Sequence, residues 1–545
     1  MRFSMNLTAN ASKLTARAHI FGLKHVACFA LALMLLAAPA LAAPALAAPV
    51  GQGDALTIGL VGGNTDFYNP LVLQERDLAA LTHLVYEGLV VIDDDYRPAP
   101  GLAERWESST SGETWTFTLK EGITFHDGTP LTAADVAATV TEILRLTTDE
   151  ASPYRGVYSS LRYMVTSVKA TAENTVEFHT RRNNYGFLFS MNFPVLPAGQ
   201  VQAARPVGTG PYSVAGYVPQ DYMLLTANEN WWDGEPALKQ VMTIFHQGSQ
   251  ELVGSYEYNR VDAIITRSLN AAQYRSGTNT LNISYRTRQL ETLLLNNSSY
   301  ELEDVRMRRA IRYGISVDAI ASTAYMSMVA RTDSVMPPGT WMYNDLTSSV
   351  RPDSRQAEAL LNELGWTDTD NDGIRDKMIN GEKKKLSLRF VVYEEPGESV
   401  RVNTANQIKS MLGGLGIECR VDSLGFSDAL ARLKAGTFDL ALAAFNVDPV
   451  PDPGFLLISG NTGNYMRYKS DRMDKLFTDL RATLDRDAYQ LKLLEIQALM
   501  VEDCPLISLY YRNGAIISRR MFSAARDLRE PDVLRGLEKG PTPGR

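Results

Sequence analysis

Apolar and polar residues alternate through Trp115, Phe117 and Leu119, and the alternation ends in Gly122-Ile123-Thr124-Phe125-His126-Asp127-Gly128-Thr129-Pro130. That pattern predicts a half-buried strand closed by an Asp-Gly turn. Thr132 and Asp135 follow at capping-box spacing, which starts a helix. Upstream, residues 55–60 read as a first strand ending in Gly62-Gly63, residues 78–88 as a helix and residues 90–92 as a short strand. Strand patterns recur at Thr175-Val176-Glu177-Phe178, at 206–217 and at 224–232.

In the second half, a helix over 304–314 has an acidic start (Glu301, Glu303, Asp304) and a basic middle (Arg306, Arg308, Arg309), the polarity that suits a helix dipole. Asp353 and Gln356 form a capping pair ahead of Ala357, Leu360, Leu361 and Leu364, a stripe at helical spacing stopped by Gly365. A helix over 399–412, a strand over 417–421, a helix over 427–433 and a strand over 438–445 then alternate. This order implies a parallel α/β lobe, whose ligands gather at strand carboxyl ends, and residues 446–453 lie at one of them.

The first 47 residues change the picture. They carry a basic start (Arg2, Lys13, Arg17, Lys24), an apolar stretch over 26–38 and two small-x-small exits, Ala40-Leu41-Ala42 and Ala45-Leu46-Ala47. About a dozen apolar residues fall short of the roughly twenty that span a bilayer, so 1–47 reads as a cleavable signal peptide. Cys28 lies inside the apolar stretch instead of ending it, which argues against a lipoprotein and favours the periplasm of a two-membrane bacterium. Cys419 and Cys504 survive processing, either as a bridge or as two buried thiols. The net charge of −8 and the lack of Lys/Arg-rich blocks argue against a nucleic-acid groove. A 545-residue chain that is 45% hydrophobic exceeds the size of a single growing core, so two or three domains are expected.

Catalytic signatures are missing: there is no Gly-x-Ser-x-Gly, His-Glu-x-x-His, phosphate-binding Gly-rich loop or Cys-x-x-Cys. His83, His126, His179 and His246 are scattered, and no cofactor is expected. Asp368, Asp370 and Asp372 before Gly373 match the first half of a calcium loop, but Ile379 stands where a bidentate carboxylate is required. Asp376 is the one further ligand, and a polar turn is the favoured reading. The run from Phe445 to Pro453 places Asp448 at the end of an apolar strand, in a loop stiffened by Pro449, Pro451 and Pro453. A carboxylate facing a cleft is costly until a cation arrives, and a peptide's α-ammonium is such a cation. An exposed Asp-Pro turn is the alternative.

Several words occur in order: Tyr68-Asn69-Pro70, Gln74-Glu75-Arg76, Tyr86-Glu87-Gly88-Leu89, Pro100-Gly101-Leu102-Ala103-Glu104, Pro206-Val207-Gly208-Thr209-Gly210-Pro211-Tyr212, Asp304-Val305-Arg306, Leu364-Gly365-Trp366 and Gly436-Thr437-Phe438-Asp439. Together with the leader they resemble the dipeptide, oligopeptide and nickel-binding family (family 5) of extracellular solute-binding proteins of ABC importers. The resemblance implies an α/β, two-lobed periplasmic-binding-protein fold with an extra inserted domain and a discontinuous first lobe. Lobe I would comprise 48–89, 205–290 and 509–545, the extra domain 90–204, and lobe II 291–508. It further implies that Asp448 holds a ligand's amino end, with Asn446 beside it and Phe445, in place of the family's usual Trp, as an apolar wall. Gln74 and Arg76 would line the opposite rim. The implied function is capture of peptides by hinge closure, as a monomer without enzymatic activity, and delivery to an inner-membrane permease and ATPase. A receptor for a nickel chelate or other small solute, an exported peptide hydrolase and a folding helper are the competing readings.

Overall fold

Two long strands, Leu281–Leu295 and Leu506–Ser518, pair antiparallel and carry the main sheet on either side of them. Leu506–Ser518 is largely apolar where it is buried, as a strand covered on both faces should be, whereas Leu281–Leu295 also buries Thr287, Glu291 and Thr292 among its apolar residues. This computed structural model describes residues 54–154, 158–181, 184–275, 280–347, 350–395 and 399–540; the leader, its cleavage sites and Cys28 lie outside them.

On one side of the central pair lie Leu440–Asn446, Ser387–Tyr393 and Glu418–Leu424. Ser387–Tyr393 runs parallel to both of its neighbours, and helices Val400–Gly413 and Phe426–Ala435 make the connections. The parallel α/β arrangement expected there is present. On the other side follow Ala263–Thr266, Ala55–Val61, Gln240–His246, Tyr222–Ala227 and Tyr212–Val218, with Ala55–Val61 parallel to both neighbours. The expected boundaries at 290/291 and 508/509 fall inside the two long central strands, which therefore belong to both halves of the sheet.

A separate antiparallel sheet has the order Ala103–Ser108, Thr114–Leu119, Thr175–Thr180, Val165–Ala172. Trp115, Phe117 and Leu119 point inward, as their alternation requires, and Phe117 meets Phe178 edge to face at 5.4 Å. The helix Ala133–Thr148 covers this sheet, and the Asp135 carboxylate accepts from Thr132 N at 2.9 Å and from Thr132 Oγ1 at 2.7 Å.

One predicted element is shorter than expected. The helix read over 78–88 spans only Arg76–Thr82. Past it, the carbonyls of Leu84 and Val85 accept from Tyr212 N at 3.0 Å and Gly210 N at 2.9 Å, so this backbone is committed to another strand and not to a helix. A Cβ on Gly208 would stand 2.0 Å from the Val85 oxygen, which explains the glycines of the 206–212 segment. Cys419 and Cys504 are buried in one core and both thiols are free; burial pushes Cys419 up to about 12. No helix among the described residues is long and apolar enough to cross a membrane.

Candidate functional site

The strand Leu440–Asn446 is buried from Leu440 to Ala443 and hydrogen-bonded to Leu281–Leu295, so its carboxyl end is held firmly. Val447 adds one more main-chain bond, donating to the Arg288 oxygen at 2.9 Å, before the prolines end the ladder. The Asp448 carboxylate accepts from Val450 N at 2.9 Å, an Asx turn that fixes the side chain. Farther along, Tyr489 donates its hydroxyl to the Pro451 oxygen at 2.9 Å, and Asp452 takes Arg481 at 2.5 Å. Asp452 is thus neutralised, whereas Asp448 has no ion-pair partner among the described residues.

Asp448 lines a cavity of about 240 Å³. The other walls come from far along the chain: residues 82–92, Arg286 to Arg288, Met336 and Pro337, Tyr511, and residues 529–538. Proline, valine, methionine and tyrosine make up much of the surface, with charges at a few points, as in most small-ligand sites.

The other residues predicted for the site are placed differently. Phe445 packs on Phe455 with ring centroids 6.0 Å apart, Asn446 is exposed, and neither lines the cavity. Gln74 donates to the Pro153 oxygen at 2.5 Å, and Arg76 pairs with Glu530 at 2.5 Å. Both stand outside the lining, although Glu530 itself belongs to it. Asp368 and Asp370 do come together, with Asp376 and not Asp372 as the third carboxylate. Lys383 reaches Asp370 at 2.8 Å and Asp376 at 3.2 Å, so an ammonium already supplies the positive charge that a calcium ion would bring. Asp372 is paired with Lys385, and the loop is a salt-bridged turn.

Sequence reading missed two cavity residues of consequence. Glu87 accepts from Thr209 Oγ1 at 2.8 Å, Trp231 Nε1 at 3.2 Å and Trp232 Nε1 at 3.1 Å. Burial pushes its carboxyl up to about 7, against the opposing pull of those bonds and of Lys120. Its motif, Tyr86-Glu87-Gly88-Leu89, was visible, but its partners lie more than a hundred residues away. Arg288 is the second, held by donation from Nε to the Val447 oxygen at 2.9 Å. Two further arginines of the lining are structural. Arg529 lies over the Tyr96 ring at 4.1 Å and donates to the Ile92 and Asp93 oxygens, and Arg535 holds Asp94 and the Ile92 oxygen.

Among the described residues, the lining contains one histidine, His83, together with two threonines, Thr82 and Thr287, and several carboxylates. A largely apolar cavity with a few charged groups, lined in part by the two long central strands, is of the kind that takes small ligands. The chain belongs to the bacterial extracellular solute-binding proteins, family 5, whose profile matches residues 97–466. It is 24% identical over 488 residues to the oligopeptide-binding protein AppA of Bacillus subtilis (85% of this chain, 87% of that protein). It is 23% identical over 468 residues to the nickel-binding periplasmic protein of Escherichia coli (80% and 85%). Its fold matches the crystal structure of NikA from Brucella suis in complex with Fe(III)-EDTA with a TM-score of 0.75, at 19% identity, over 89% of this chain and all of that one.

Proposed function

We propose that this chain is the periplasmic substrate-binding component of an ABC importer and that its cargo is a peptide whose α-ammonium meets Asp448. The observation that carries the reading is Asp448 itself: it lines a largely apolar cavity, is oriented by a main-chain N–H and has no ion-pair partner among the described residues. A carboxylate so placed favours a ligand that brings a positive charge. The oligopeptide-binding name of one relative agrees with this chemistry.

On this reading the leader exports the chain, which acts as a monomer. Lobe I (48–89, 205–290, 509–545) and its inserted domain (90–204) close on lobe II (291–508) about the central strands, a transition typical of periplasmic binding proteins. The closed form then presents the peptide to a permease and its ATPase, and no bond in the cargo is broken.

Calorimetric titration of di- to pentapeptides into the wild type and Asp448→Asn tests the assignment. The variant is expected to keep its fold and lose about tenfold or more in affinity, the scale of a charge-assisted hydrogen bond. Equal affinities reject Asp448 as the anchor. A wild type that responds only to nickel chelates replaces the peptide reading with the chelate one.

A further inference from the structure

The strands Val90–Ile92 and Pro98–Pro100 form a small hairpin, and Tyr96 stands in its turn at φ +60. Bulky side chains rarely adopt that backbone conformation, which glycine takes freely, so the turn carries a large ring where its geometry favours none. The surroundings hold it there. The Asp93 carboxylate accepts from the N–H groups of Asp95 and Arg97, each at 2.9 Å, and the Asp93 oxygen accepts from Tyr96 N at 3.1 Å. Trp341 Nε1 donates to the Tyr96 oxygen at 2.6 Å, and Arg286 donates to its hydroxyl at 3.3 Å. The guanidiniums of Arg529 and Arg286 lie over the ring at 4.1 and 5.6 Å, and Asp527 pairs with both arginines. Strain that the surroundings over-determine in this way clusters at functional sites.

Tyr96 and Arg286 line two cavities. One is the largely apolar cavity that Asp448 also lines. The other, of about 470 Å³, has ten lining residues, six of them charged. Of those, Asp94, Asp95 and Asp527 are already paired, with Arg535, Arg526 and Arg529. We infer that Tyr96 is a specificity-determining partition: its ring ends the apolar cavity on this side and limits how long a cargo anchored at Asp448 can be. This rests on the peptide reading above and adds a limit to it. An extended chain advances by about 3.3 Å per residue, so the residue that reaches the ring must stop or displace it. Displacement breaks the Arg286 bond and both cation–π contacts. Beyond the ring, a chamber whose charges are paired offers a neutral chain little in return.

The test is calorimetry on the ligand-stripped mature protein with free-acid alanine peptides of two to six residues. Tyr96→Gly, which takes φ +60 without strain, and Tyr96→Phe, which keeps the ring, are titrated beside the wild type, with thermal melts to verify folding. The wild type is expected to lose about tenfold or more in affinity between two neighbouring lengths, the cost of forcing one residue into a filled site. Tyr96→Gly should move that drop to a longer peptide, and Tyr96→Phe should keep it where it is. A drop at the same length in wild type and Tyr96→Gly, no drop anywhere in the series, or a drop that Tyr96→Phe displaces as well overturns the partition and leaves Asp448 as the anchor. If none of the peptides binds the wild type or Tyr96→Gly, the peptide reading falls and the partition with it.

Discussion

The indole nitrogen of Trp341 donates to the main-chain oxygen of Tyr96 at 2.6 Å, joining segments 245 positions apart. Around it, Tyr185 and Phe189 present their rings to Trp341 at 6.1 and 6.3 Å, and Tyr185 meets Tyr489 at 5.8 Å. Tyr489 in turn holds Pro451, three residues beyond Asp448. An aromatic cluster thus connects residues 96 and 185–189 with the loop that carries the proposed anchor, and Trp341 does this without lining the cavity itself.

If the cluster stabilises the closed form, removing its hub shifts the open-closed equilibrium and leaves the ligand contacts alone. Trp341→Ala should weaken peptide binding severalfold and enlarge the radius of gyration of the ligand-free protein in small-angle scattering. Wild-type values for both would show that the cluster only stabilises the fold.

Glu87 makes stability depend on pH. Its folded-state value of about 7 lies above the ordinary 4.5 because burial disfavours the charged form. The folded state therefore holds the proton more tightly than the unfolded one. Its stabilising contribution is complete below about 4.5 and is lost as pH rises through about 7. Glu87→Gln removes the titration and keeps an oxygen for the two indoles. The unfolding free energy of the wild type minus that of the variant should fall by up to about 3 kcal/mol between pH 4.5 and 8. Urea unfolding at four pH values measures it, and a flat difference would place the Glu87 carboxyl near its ordinary value.

Local chemistry was the legible part of this chain. The Thr132 and Asp135 box, the Asp353 bond to Gln356 N at 3.0 Å and the left-handed Gly365 at φ +82 involve neighbours in sequence, so spacing reveals them. The alternation of helices and strands over 399–445 was legible for the same reason, although the strand Ser387–Tyr393 before it was not read. Glu87 and Arg288 were not, because what distinguishes them is which distant residues bind them: Thr209, Trp231 and Trp232 for one, Val447 and Glu530 for the other. The short helix at Arg76–Thr82 was missed because the strand partner that claims residues 84 and 85 lies at 210–212. Gln74 and Arg76 show the limit of resemblance: it points to a rim, whereas here their side chains are bonded to Pro153 and Glu530.

The strand that delivers Arg286 and Arg288 to the cavity is itself held by a buried ion pair. Glu291, three residues beyond Arg288, pairs with Arg401 at 2.7 Å, with side chains 2% and 1% exposed. Gln289 donates to the same carboxylate at 3.0 Å, and the Arg401 guanidinium lies 4.0 Å over the Tyr393 ring. Two charges withdrawn from water so completely gain little net stability from each other, but stranding either one costs about 3–5 kcal/mol. Arg401→Met should accordingly lower the urea midpoint sharply, and Glu291→Gln with Arg401→Met should recover much of the loss, because the double variant buries no lone charge. The single variant should also bind peptide more weakly, since a strand that relieves Glu291 by shifting carries Arg288 out of register with Val447. A single variant as stable as the wild type, or a double variant no better than the single, would mean that Glu291 finds another cation or water and that the pair does not hold the strand.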